Sequence, residues 1–197
     1  VHWQSDVVVS EIRLSVAAAY ALYRPFEQAV LDRADRIIAT SQPYLDASPA
    51  LRPWRSKCAV IPLGIDCTTP PMPEQLPERL QWRGDTRLRL LSIGRLTYYK
   101  GFETLVEAVQ ALPGVELLIA GDGELQAGLQ TRIQAVTPTG QRPATRLLGG
   151  VSDSEKHALL QQCDAFCLAS RERTEAFGVV LLEAMLHARP CIVTDLP

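Results

Sequence analysis

From residue 87 onward the chain alternates short, continuous apolar runs with longer segments in which apolar positions recur at helical spacing. The runs 87–93, 115–120, 145–148, 165–169 and 191–194 are rich in strand-forming apolar residues and predict strands buried on both faces. Between them, 102–112, 124–136, 153–163 and 177–188 predict helices; Leu105, Ala108, Val109 and Leu112 share one face of the first. Ser152-Asp153 and Ser154-Glu155 supply caps for the third. Strand and helix alternating in this way predict an α/β domain, a doubly wound parallel sheet.

Before residue 87 the pattern changes. Residues 35–40 and 57–61 read as two further strands, and 12–31 as a helix broken or kinked near Pro25. Pro62, Pro70, Pro71, Pro73 and Pro77 then crowd a stretch that neither a helix interior nor a central strand tolerates. Three parts are therefore expected: 1–62 as the end of one domain, 63–85 as an interdomain linker, and 86–197 as a second domain.

Composition removes several classes. With 47% apolar and 21% charged residues in 197, disorder and a collagen-like chain are excluded. A formal charge of −2 provides no global field for nucleic acid, and no apolar run approaches the roughly 20 residues that span a bilayer. The first residues show no basic and apolar leader pattern, so no signal peptide is expected. The five cysteines are odd in number and lack ligand spacing; Cys163 and Cys167, flanking Ala165-Phe166, read as core residues.

In open α/β sheets, ligands gather at the carboxyl ends of the strands. The first predicted strand of the larger domain runs into Gly94-Arg95, with Lys100-Gly101 just beyond. An arginine and a lysine so placed can clamp a diphosphate, or they can be two cations of a solvated loop. The stretch is not a P-loop, because GRLTYYKG does not fit G-x-x-x-x-G-K-[ST]. Gly121-Asp122-Gly123 follows the second strand; the next glycine, Gly128, is displaced from dinucleotide spacing, which disfavours an NAD-linked oxidoreductase. Tight-turn and packing roles suit these glycines as well.

The fourth strand leads into Glu175-Ala176-Phe177-Gly178, and then into a helix carrying Glu183 among Val180, Leu181, Leu182, Ala184 and Met185. A helix opening at Phe177 and Gly178 would present free N–H groups and a positive dipole end to a phosphate. Glu183, about two turns into that helix, needs a partner if buried: either a pair of hydroxyls or an ion pair with Arg171, Arg173 or Arg189.

These elements together closely resemble the retaining glycosyltransferases of family 4. The resemblance rests on Gly94-Arg95 with Lys100-Gly101, Gly121-Asp122-Gly123, Gly149-Gly150-Val151-Ser152, and Glu175 to Glu183 in the E-x7-E spacing; it covers nearly the whole chain. It implies the two-domain GT-B architecture: a Rossmann-like donor-binding half at 86–197, lacking its final helices, preceded by the end of the acceptor-side domain at 1–62. It further implies transfer of a hexose from a nucleotide diphosphate sugar to a hydroxyl acceptor, with retention. By position, Arg95 and Lys100 would neutralise the leaving diphosphate over Gly94. Glu175 would stand by the transferred sugar and Glu183 by the ribose diol. The amides of Phe177, Gly178 and Val179 would meet the phosphates and the Val151 backbone the base, with Gly121 and Gly123 also lining the donor site.

No metal or other cofactor is implied, and the chain has no D-x-D pair. The implied partners are a nucleotide-sugar donor and a glycan or lipid-linked acceptor, not nucleic acid. The implied location is cytoplasmic, with peripheral contact at the inner membrane face through a preceding segment. On this reading the 197 residues bind donor and do not catalyse alone. A nucleotide-sugar binding module without chemistry is the alternative. Two departures stand out: Ala188 occupies a place where related sequences usually have glycine, and Gln4 one where they often have histidine.

Overall fold

The computed structural model describes residues 1–4, 6, 14–172 and 177–196, without the side chains of 14–17. The chain divides into two units, one built on Val1–Gly64 and the other on Ile65–Arg171 with Gly178–Asp195.

In the first unit, β1 (His2–Trp3), β2 (Ile37–Ala39) and β3 (Cys58–Val60) form a parallel sheet in that order. Helix α1 (Leu14–Arg33) runs on through Pro25, where the sequence predicts a break or kink. The lost hydrogen bond is tolerated because the helix is long and anchored: Leu31 is buried with Ile37, Ala39, Leu45 and Leu51. The short α2 (Gln42–Ala47) is capped by Ser41, whose hydroxyl accepts from the Tyr44 N–H.

The second unit contains β4 (Leu88–Ile93), α3 (Phe102–Gln110), β5 (Val115–Ala120), α4 (Gln126–Val136), β6 (Thr145–Gly149), α5 (Asp153–Gln162), β7 (Ala165–Leu168), α6 (Val179–Leu186) and β8 (Cys191–Val193). Its five strands are parallel in the order β6-β5-β4-β7-β8. Side-chain alternation splits the core between the two faces of this sheet. Leu90, Leu117, Ile119 and Cys167 pack with Phe102, Val106, Leu129 and Ile133 of α3 and α4. Leu91, Leu118, Ala120, Phe166 and Leu168 pack with Leu159, Leu160 and Ala184 of α5 and α6. Strands covered on both faces need no polar alternation, which is why the apolar runs are continuous. Cys163 and Cys167 are buried here, and burial pushes both thiols up to about 11, as suits small core hydrophobes.

The proline-rich stretch predicted as a linker is exposed over much of its length but is docked at points along it. The second unit starts at Ile65, and Leu76 and Leu80 enter its core. Arg79 donates to the Leu148 carbonyl at 2.8 Å, and the Arg83 N–H to Glu116 at 3.0 Å. Proline removes donors and rules out regular structure, but it does not stop leucines and arginines in an irregular segment from docking.

Candidate functional site

The strand order reverses direction between β4 and β7, so connections from these two strands leave to opposite sides and open a crevice at their carboxyl ends. The loop after β4 carries Gly94, Arg95 and Lys100; the loop after β7 leads to Gly178 and α6. Topology thus brings together, at one end of one sheet, segments that the sequence keeps more than seventy residues apart.

The β4 and β5 loops are locked back to back. Gly94 N–H donates to the Ala120 carbonyl at 3.0 Å, Leu96 N–H to Asp122 at 2.9 Å, and Leu125 N–H to Leu96 at 3.1 Å. A Cβ on Gly121, whose φ is +131°, would lie 2.1 Å from the Gly94 carbonyl oxygen, and one on Gly123 2.3 Å from that of Leu96. Backbone approach therefore requires glycine at both positions.

The two cations of this loop have different surroundings. Lys100 is 8% exposed, its Nζ 3.5 Å from where a Gly94 Cβ would be and 5.6 Å from the Tyr99 ring centroid. The Arg95 side chain is 76% exposed, with Glu124 3.8 Å away. A hydrogen bond from the Thr97 hydroxyl, aided by Arg95, holds the Glu124 carboxyl below its ordinary range.

Helix α6 begins at Val179, directly after the Glu175–Gly178 stretch that leads into it and two residues inside the 177–188 pattern. Gly178 precedes it at φ +67°, a left-handed conformation outside the helix, and its carbonyl accepts from Leu181 N–H at 2.8 Å. Phe177 and Gly178 are thus not the first helical residues; the leading amides belong to Val179 and Val180. Glu175 lies outside the described residues. Val151 is half-buried against the core, just before the box in which Ser152 and Glu155 cap α5 reciprocally.

Glu183 has a partner that sequence reasoning missed. It accepts from Lys156 Nζ at 2.8 Å, while Arg171 bonds Thr104 and Arg189 bonds the carbonyls of His187 and Cys163; Arg173 lies outside the described residues. One residue along α5, His157 Nδ1 stands 2.7 Å from His187 Nε2. Burial opposes the Lys156 charge, yet hydrogen bonds to Glu183 and Asp153 outweigh it and hold the ammonium above its ordinary pKa. Burial, and then the charges of His157 and Arg189, hold His187 below the usual imidazole value. The only sequence trace of this seam is the acidic-basic spacing Asp153 to Lys156, which says nothing about α6.

Asp153, Lys156, His157 and Glu183, with Ile65–Pro70 residues Asp66 and Thr68 opposite, enclose a cleft of about 400 Å³. A carboxylate and an ammonium side by side in a half-enclosed cleft suit hydroxyl groups, which donate to one and accept from the other. Another cavity, about 350 Å³, lies at the amino ends of the strands around Arg83, Thr86 and Glu116. There Glu116 is 2% exposed and saturated by the Arg83 N–H, Thr86 Oγ1 and Arg146 Nε, which marks a structural network. Among the described residues no cluster of His, Cys, Asp or Glu is placed to hold a metal ion, and no helix is long and apolar enough to cross a membrane.

Comparison with known proteins bears on the same region. The model of the family described as glycosyl transferases group 1 matches residues 76–197. A D-rhamnosyltransferase, WbpZ, of Pseudomonas aeruginosa is 36% identical over 198 aligned positions, covering 100% of this chain and 49% of the relative. An O-antigen chain mannosyltransferase C of Escherichia coli is 31% identical, covering 89% of this chain and 46% of the relative. The chain spans about half the length of the curated relatives it matches. Among solved structures, Anabaena HepE in complex with UDP superposes with a TM-score of 0.66 at 20% identity, over 98% of this chain and 52% of that one. An S. aureus TarM mutant in complex with fondaparinux, alpha-GlcNAc-glycerol and UDP gives 0.66 at 16%, over 98% and 35%. These likenesses identify the α/β fold with parallel sheets as that of GT-B glycosyltransferases.

Proposed function

The chain belongs to the group 1 glycosyl transferases, and from that premise we propose that it supplies the donor-binding half of a retaining, family 4 enzyme. The enzyme would transfer a hexose or deoxyhexose from a nucleotide diphosphate sugar to a hydroxyl of a growing glycan or lipid-linked acceptor. The observation that carries this reading is the crevice at the β4/β7 reversal, where a cationic loop and the Glu183 cleft belong to one unit. The names of the relatives, one a rhamnosyltransferase and one an O-antigen mannosyltransferase, support the sugar class and the setting. UDP in the neighbouring structures supports a nucleotide in such a crevice.

In this reading Arg95 and Lys100 neutralise the charge that develops on the diphosphate as the sugar leaves, lowering the barrier electrostatically and without recourse to a metal. Gly94 lies beneath the phosphates, and the Val179 amide, with its neighbours Phe177 and Gly178, meets them. The Val151 backbone contacts the base, Glu175 the transferred sugar and Glu183 the ribose. Gly121 and Gly123 act by letting the two loops close on each other. Residues of the first unit belong to the acceptor side, where a peripheral membrane contact at the cytoplasmic face would fit a lipid-linked acceptor.

The test is a thermal-shift panel of UDP, GDP, ADP and dTDP, each with and without a sugar. At a hundredfold excess over Kd, a site-bound nucleotide should raise Tm by about 5 °C or more. A panel in which no nucleotide shifts Tm would sink the donor-binding reading.

A further inference from the structure

Lys156 lines the Glu183 cleft, and it is also the group that fixes Glu183. Its Nζ bridges two helices, donating to Glu183 Oε1 on α6 at 2.8 Å and to Asp153 Oδ1 in the first turn of α5 at 2.9 Å. The bridge is withdrawn from water: the side chains of Lys156 and Glu183 are 18% and 20% exposed, whereas Asp153 is mostly exposed. A carboxylate this far from solvent needs a hydrogen-bond partner, and an ammonium at 2.8 Å supplies it and keeps the side chain from swinging outward. The ammonium occupies Oε1, while Oε2 takes no partner among the described residues. Just beyond, the His157–His187 contact crosses between the same two helices, so the seam is tied at two consecutive places.

We propose that Lys156 is a positioning residue for diol recognition: it holds Glu183 in a single orientation, so that the remaining carboxylate oxygen can receive a vicinal hydroxyl pair entering the cleft. The inference rests on the reading of Glu183 as the ribose-binding carboxylate. It adds that ribose recognition depends on a lysine of the neighbouring helix, which itself need not touch the ligand. Asp153 anchors the far side of the same ammonium, and its exposure lets it do so without a large desolvation cost.

The experiment is calorimetric titration of the 197-residue chain with UDP and 2′,3′-dideoxy-UDP, and with GDP and its dideoxy analogue as a second pair. Wild type should prefer the ribose form by roughly tenfold or more, the worth of a hydrogen bond to a charged group. In Lys156→Met that preference should fall below about twofold while affinity for the dideoxy form is kept. Lys156→Arg should restore part of it. Lys156→Gln, which keeps a donor but no charge, serves if the methionine variant fails to fold, with the same loss expected; circular dichroism reports the fold. A Lys156→Met or Lys156→Gln protein that retains the wild-type preference overturns the proposal, as does equal weakening of both forms or a wild type indifferent to the diol. If wild type binds none of the four nucleotides, the donor-binding reading fails and this proposal falls with it.

Discussion

Arg95, in the loop after β4, and Glu183, on the helix after β7, stand under opposite physical conditions. The arginine is 76% exposed, with a carboxylate 3.8 Å away, whereas the glutamate is four-fifths buried and holds an ammonium at 2.8 Å. An exposed pair at that distance adds little stability and is screened by salt, so the guanidinium can leave Glu124 for a stronger anion. A withdrawn pair cannot be undone so freely, because removing one partner strands the other charge where water reaches it poorly. The crevice therefore combines a mobile end suited to a highly charged group with a pre-set end suited to neutral hydroxyls. Affinity at the first would come from charge and at the second from geometry.

The comparison breaks most sharply if stability does not follow it. Lys156→Met should cost about 1–3 kcal/mol in urea unfolding, less than a fully buried pair would because both groups keep some solvent contact. Arg95→Ala should stay within about 0.5 kcal/mol of wild type while weakening nucleotide binding. Equal stability losses for the two variants would show that the ends are not built differently.

How much of this was legible in the sequence depends on whether the determinant is local. The strands are legible because both faces of β4, β5 and β7 are covered, so Leu90-Leu91 and Leu117-Leu118 read as unbroken apolar runs. The loop after β4 is legible because Gly94 and Gly101 bound it. The pattern alone leaves the start of α6 open between Phe177 and Val179, because nothing local shows that Gly178 adopts a left-handed conformation. For an ion pair with Glu183 the sequence offers arginines nearby in the chain, but Arg171 is held by the Tyr99 carbonyl at its own N–H and by Thr104 at its guanidinium. Lys156 arrives from a helix across β7, a pairing that no periodicity encodes. Two-residue β1 and six-residue α2 are too short to leave a pattern.

A smaller change would sharpen the comparison at the buried end. Helix α6 ends with Ala188 N–H donating to Met185 and Arg189 N–H donating to Ala184, and Ala188 is held at φ 55°. That is a Schellman ending with alanine at the position that favours glycine, since a Cβ in the left-handed region crowds its own backbone. The sequence departure at this position thus has a physical consequence. Ala188→Gly should raise stability by about 1 kcal/mol in urea unfolding, the strain removed exceeding the added freedom of the unfolded chain. A loss of stability would mean that the ending is relaxed with alanine, and that the seam beside it carries no strain.

The smallest expected effect separates the two ends by pH. His187 is held below the ordinary imidazole value of 6.5, first by burial and then by His157 and Arg189, with Glu183 pulling the other way. Lys156, held above its ordinary pKa, stays charged as the pH falls. A histidine with a depressed folded pKa binds fewer protons in the native chain than in the unfolded one. Its contribution to stability is complete above about 6.5 and is lost as pH falls through the folded value. At the open end, the lowered carboxyl of Glu124 stays ionised throughout this window. Melting curves from pH 7.5 to 5.5 should therefore show a decline in wild type that is shallower in His187→Gln and unchanged in Arg95→Ala. If His187→Gln declines as steeply as wild type, the acid sensitivity belongs elsewhere, and the seam between α5 and α6 is not what distinguishes the buried end.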